Sequence, residues 1–176
     1  MQKSGNASAS RGEYNESSIQ VLEGLEGLRM RPTIYLGERG DSMVYRGAKE
    51  IWDNVVDEFM AGRNKYLEVV SFPSKNTYIV ADRAGGIPVG IHPDYKKQKI
   101  STLTLIFTRL HAGGKFNDSA YKTSAGTHGI GASATNAVCE LFEVWTHRDG
   151  AWHYQKFSKG VPQTEVLRKA PPADVV

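Results

Sequence analysis

Glu50, Asn54 and Asp57 stand at positions i, i+4 and i+7, a spacing that stacks side chains on one face of a helix. A carboxylate so placed can take a proton from water. The amide oxygen of an asparagine one turn away can serve a hard cation such as Mg²⁺ without adding charge beside phosphates. A solvated polar face fits the same spacing, with Trp52, Val55 and Phe59 on the opposite side, and spacing alone leaves the two readings open.

A second cluster is "IVADRAGGIP", residues 79–88. Asp82 closes an apolar run, and a carboxylate there can accept a hydrogen bond from an exocyclic amine, worth roughly 1.5–3 kcal/mol. Gly85 and Gly86 would let a flat ring approach the backbone. An ordinary turn opened by Asp has the same look. The third cluster is "GTHGIG" at 126–131, followed by Ala, Ser, Thr and Asn. Bare amides at a helix N-terminus, aided by the dipole, attract an anion, and Lys115 in "HAGGKF" can add a positive charge. Tight packing of small residues is the plainer alternative. A dinucleotide fingerprint needs a strand directly before its glycines, and a Walker loop needs Lys-Ser/Thr after them; neither is present.

The elements that must position these residues follow from periodicity. Residues 17–30 place Ile19, Leu22, Leu25 and Leu28 on one helical face, with Ser17 and Gln20 as a capping box and Pro32 as the stop. A second helix is expected over 43–61, ended by Gly62, with Val44, Ala48, Ile51, Trp52, Val55, Val56 and Phe59 largely buried. "YLEVVSF" and "NTYIVAD" read as a hairpin, residues 83–93 as a loop, and 100–110 as a helix. Residues 111–129 form a long loop, a feature of functional segments, and a small-residue helix starts near Ile130. "LFEVWTH", "AWHYQKFS" and "VPQTEVLRK" read as strands joined at "RDG" and "KG". This order predicts a two-layer α/β sandwich with a mainly antiparallel sheet.

Composition narrows the class. A net charge of +3 is too small to argue for nucleic-acid binding by this segment alone. Cys139 is the only cysteine, so no disulfide framework exists; a reducing compartment, the cytoplasm, is expected, with Cys139 as a buried filler. No run approaches the roughly 18 apolar residues of a membrane helix, so no membrane partner is expected. Residues 1–16 read as a flexible arm with Tyr14 as an anchor, and 17–176 as one domain.

The three clusters, in this order, resemble the GHKL (Bergerat-fold) ATPase domain of type II DNA topoisomerases. "RMRPTIYLG" stands where that family has "RKRPGMYIG", "EIWDNVVDE" resembles its "EVVDNAIDE", "GGIPVGIHP" its nucleotide-side loop, and "LHAGGKF" with "GTHGIGASATNAV" its ATP lid. The resemblance implies ATP and Mg²⁺ as cofactors, Glu50 as general base, Asn54 as metal ligand and Asp82 as acceptor of the adenine amine. Gly86, Ile87 and Pro88 would line the base pocket, with Tyr121 against adenine. Lys115, Gly126, His128, Gly129, Ile130 and Gly131 would surround the triphosphate. Tyr14 would reach the partner's nucleotide, and Arg148 would stand at the pocket mouth where aminocoumarins bind. Implied partners are a second copy of the ATPase subunit, a DNA-cleaving subunit, and DNA through the full enzyme. A nucleotide-binding or dimerisation module with little turnover is the alternative.

Several positions depart from the family pattern. Its D-x-G-x-G becomes Asp82-Arg83-Ala84-Gly85-Gly86, and the histidine one turn before the base is Arg46. An arginine there is expected to pair with Glu50 and weaken it as a base. Arg83 is expected to point away from the pocket. The chain also stops before the family's "GT-x-V-x-F" strand and transducer domain, so little hydrolysis is expected from it alone.

Overall fold

The computed structural model describes residues 24–112 and 129–173. In chain order these form α1 (Glu26–Met30), α2 (Thr33–Leu36), α3 (Asp41–Met60), β1 (Leu67–Phe72), β2 (Thr77–Asp82), α4 (Thr102–Thr108), α5 (Gly131–Val138), β3 (Phe142–Arg148), β4 (Ala151–Ser158), β5 (Val161–Pro162) and β6 (Leu167–Arg168). The Ser17–Gln20 box and most of the loop expected over 111–129 lie outside the described residues.

Pro32 ends α1 and opens α2 as its N-cap, its φ of −62° suiting a helix start. Helix α3 closes where Ala61 donates to the Asp57 carbonyl and Gly62 turns to φ +73°, a conformation glycine adopts without a Cβ clash. Ser101 caps α4 by accepting the Thr104 N–H at 3.0 Å. The turns at Asp149-Gly150 and Lys159-Gly160 have positive φ at both residues, the two-residue geometry that matches strand twist.

All named strand pairs are antiparallel, in two sheets with no ladder between them among the described residues: β1–β2, and β3–β4–β5 with β6 also on β4. "VPQTEVLRK" is therefore not one strand. It breaks at 163–166, where Thr164 takes the Lys156 N–H on its hydroxyl and the Gln155 amide on its carbonyl.

Helix α3 packs on β1, β2, α2 and α5, while α4 and α5 rest on the larger sheet. One core, Leu25, Leu28, Leu36, Ala134 and Ala137, seals α1, α2 and α5 together. The other, Leu103, Phe107, Val144 and Phe157, seals α4 to the sheet, with Ile87 and Ala132 against it. The face of α3 differs from expectation at one end: Phe59 is 58% exposed whereas Asp57 is fully buried. The last turn of α3 overhangs its neighbours on the Phe59 side, and the acidic side is the one that packs. The Glu50–Asn54–Asp57 face is accordingly no solvated surface, since Glu50 and Asn54 are half-buried.

Candidate functional site

Two groups of residues form the site. The first lies where α3 meets α5. Gly47 allows the helices to touch: the Thr135 hydroxyl is 3.0 Å from the Gly47 carbonyl and 2.8 Å from that of Gly131. A Cβ on Gly47 would sit 3.2 Å from Cγ2 of Thr135. One turn along α3, the Glu50 carboxylate lies over Gly131, so close that a Cβ on residue 131 would stand 2.0 Å from Oε2. Gly131 is the first residue of α5, Ile130 its N-cap, and Gly129 turns into it at φ +62°. Amides in the first turn of a helix have no acceptor within it. A carboxylate and a helix N-terminus thus face one another across a backbone without side chains.

Asn54 donates its Nδ2 to the Glu50 carbonyl at 2.9 Å, which commits the nitrogen to the helix and makes Oδ1 the atom suited to a hard cation. Lys49 pairs with Asp53 at 2.6 Å, and this hydrogen bond raises the Lys49 pKa. Arg46 does not pair with Glu50: no ion pair joins them among the described residues. Its guanidinium packs on Gly37, whose φ of +75° and missing Cβ open space that a side chain would fill at 2.7 Å from Nη1. An open groove of about 500 Å³ runs along this side, lined by Tyr35, Leu36, Tyr45, Arg46, Lys49 and Glu50 among others.

The second group is the end of β2 and the loop after it. Asp82 is exposed, and its Oδ1 accepts the Ala84 N–H at 2.7 Å, so the turn that Asp commonly opens is present here. Arg83 points away, its guanidinium 4.5 Å from the centre of the Tyr66 ring. Buried Asn64 steadies the strand ends, accepting from Tyr66 and Arg83 N–H groups and donating to the Tyr66 carbonyl.

Gly86 adopts φ +73°, and a Cβ there would lie 2.2 Å from the His147 carbonyl oxygen. Strand β3 supplies the loop's polar partners. Thr146 Oγ1 accepts the Ile87 N–H at 2.8 Å, and Arg148 Nη1 donates to the Gly85 and Gly86 carbonyls at 3.0 and 3.1 Å. Ile87 packs against the same core as Ala132 of α5, which ties the two groups to one foundation. Pro88 follows on the exposed side.

Of the residues named from sequence, Glu50, Asn54, Gly129, Ile130 and Gly131 fall in the first group. Asp82, Gly86, Ile87, Pro88 and Arg148 fall in the second. Tyr14, Lys115, Tyr121, Gly126 and His128 lie outside the described residues. Sequence reasoning passed over Thr146 and Thr135. The available signal for Thr146 was a hydroxyl on the inward phase of a strand, between Val144 and Arg148, where apolar residues are usual.

Known proteins match along most of the chain. The B subunit of DNA gyrase from Metamycoplasma hominis is 47% identical over 148 residues, covering 84% of this chain and 22% of its own length. The same gyrase polypeptide of Treponema pallidum is 44% identical over 157 residues, covering 89% and 24%. The B subunit of DNA topoisomerase 4 from Caulobacter vibrioides is 44% identical over 160 residues, covering 91% and 23%. The chain thus spans less than a quarter of the length of the curated relatives it matches. Among solved structures, the 43K ATPase domain of Thermus thermophilus gyrase B, in complex with an aminocoumarin, aligns with a TM-score of 0.66 at 32% identity. That alignment covers 84% of this chain and 35% of the other. No family model matches the chain. Sequence and fold together make the chain homologous to one region of the B subunits of DNA gyrase and topoisomerase IV, a region that aligns with the ATPase domain of gyrase B.

Proposed function

We propose that the two groups form one nucleotide site that binds and hydrolyses ATP with Mg²⁺, base toward Asp82 and phosphates toward α5. The observation that carries this reading is the Glu50 carboxylate seated on Gly131. It puts a proton acceptor beside the helix N-terminus that best suits a polyphosphate. The residues present fit the nucleotide and its metal: the site keeps free of Cβ atoms where phosphate oxygens need backbone N–H groups, and Asn54 supplies a neutral oxygen donor. Bound Mg²⁺ would offset charge on the phosphate oxygens. Glu50 would accept a proton from the attacking water, and Asp82 would accept a hydrogen bond from the adenine amine.

Within the full protein, nucleotide binding would bring together a second copy of the subunit, with Tyr14 reaching the partner's nucleotide. That dimer would gate passage of DNA through the DNA-cleaving partner subunit. Tyr121, Lys115, Gly126 and His128 would complete the lid, and Arg148 would stand at the mouth that aminocoumarins enter.

Calorimetric titration of a non-hydrolysable ATP analogue with Mg²⁺ tests the reading. Saturable binding by the chain, lost in Asp82→Asn, is expected, and absence of binding by the unaltered chain would overturn it. Binding without phosphate release, unaffected by Glu50→Gln, would make the chain a nucleotide-binding module instead of an enzyme.

A further inference from the structure

The segment that follows Asp82 is held in an unusual way. No backbone–backbone hydrogen bond among the described residues reaches residues 84 to 89, yet Ile87 is half-buried and seated on the core. A polar main-chain group taken out of water needs a partner. Here the partner of the Ile87 N–H is a single hydroxyl, Thr146 Oγ1 at 2.8 Å. Thr146 is 4% exposed and is itself fixed in the β3–β4 ladder opposite His153. The same hydroxyl sits 3.0 Å from where a Cβ of Gly86 would be, so it bears on the loop from directly beneath.

We propose that Thr146 is a positioning residue for base selection. By accepting the Ile87 N–H, its hydroxyl sets the height of the Gly85–Pro88 segment beside Asp82, and so the depth at which a purine is read. This rests on the nucleotide reading above and extends it. The hydroxyl bonds to the base-side loop, so its influence falls on the base and not on the phosphates. Valine at this position keeps the shape but leaves the Ile87 N–H without an acceptor, whereas serine keeps the acceptor.

The test compares the unaltered chain, Thr146→Val and Thr146→Ser. Amide exchange at Ile87 is measured alongside affinities for a non-hydrolysable ATP analogue, ADP and a non-hydrolysable GTP analogue. Thr146→Val is expected to lose Ile87 protection and to weaken the ATP analogue and ADP by the same factor, about fivefold for one hydrogen bond. Its preference for adenine over guanine narrows correspondingly, while Thr146→Ser behaves as the unaltered chain.

Loss of Ile87 protection with unchanged affinities would overturn the proposal, leaving the hydroxyl a purely structural clamp. A loss confined to the ATP analogue and absent with ADP would overturn it too, because the effect would then lie on the phosphate side. Failure of the unaltered chain to bind either adenine nucleotide would instead sink the nucleotide reading, and the base-selecting role with it.

Discussion

The carboxylate of Glu50 rests in a notch that exists only because residue 131 has no side chain: a Cβ on Gly131 would lie 2.0 Å from Oε2, 2.8 Å from Cβ and 2.9 Å from Cδ of Glu50. The far oxygen can swing aside, but the Glu50 Cβ is fixed to helix α3. Gly131→Ala is therefore expected to push α5 away from α3 at a cost of roughly 1–3 kcal/mol and to remove hydrolysis. Thermal unfolding and phosphate release on the same sample check this; an unchanged melting temperature would show that the helices yield at no cost.

Asp82 gives one oxygen to the Ala84 N–H, and asparagine can do the same with its amide oxygen. Asp82→Asn should accordingly fold as well as the unaltered chain. Its amide group would present N–H where the adenine amine needs an acceptor, and loss of a bond to a charged acceptor corresponds to a decrease of about tenfold or more. Calorimetry with the ATP analogue measures the decrease, and circular dichroism on heating verifies the fold.

Gly85 and Gly86 are neighbours with opposite tolerance. Gly86 combines φ +73° with a carbonyl 2.2 Å from its missing Cβ, while a Cβ on Gly85 would meet nothing closer than Arg148 Nη1 at 4.0 Å. Gly86→Ala is expected to destabilise by roughly 2 kcal/mol or more, and Gly85→Ala to be nearly neutral. Equal denaturation midpoints for the two would contradict this account.

Alkaline stability should be set partly by a half-buried thiol and a buried phenol. Burial pushes the Cys139 thiol up to about 11, and burial with the hydrogen bond to Glu143 pushes the Tyr154 phenol up to about 12. Unfolding returns them toward 9.0 and 10.0. Each group's contribution is thus fully present below its unfolded value and is lost as pH rises through its folded one. Midpoints of unfolding should fall between pH 9 and 12, with a shallower fall in Tyr154→Phe. At about pH 8 the Cys139 thiol should resist alkylation until the chain is unfolded.

Features written in adjacent residues were legible in the sequence: the stop at Pro32, the end of α3 at Gly62 and both glycine turns of the meander. Each is fixed by the φ or cap demand of one or two residues. The roles of Asp57 and Phe59 in α3 were not legible at that level, because both sides of the helix satisfy a 3.6-residue period and only its neighbours decide which side packs. Glu50 and Gly131 were each singled out, but their contact across the α3–α5 junction depends on Gly47 and Thr135, whose pairing no local pattern announces. Arg46 was assigned the wrong neighbour for a similar reason. Helical spacing allows it to reach Glu50, and the bare backbone of Gly37 competes from another element.

The hydrogen bonds by which strand β3 holds the loop after Asp82 all go to main-chain atoms: the nitrogen of Ile87 and the carbonyl oxygens of Gly85 and Gly86. A clasp of that kind is indifferent to spelling. Alanine at 84 and glycine at 85 can replace the residues of the D-x-G-x-G pattern without loosening a single bond of it, since the strand grips main-chain atoms and no side chain of those two positions. Gly86, where the grip comes too close for a Cβ, keeps its letter, and Ile87 keeps an apolar one through its seat on the core; at 84 and 85 the chain is free to drift while the shape stays in place.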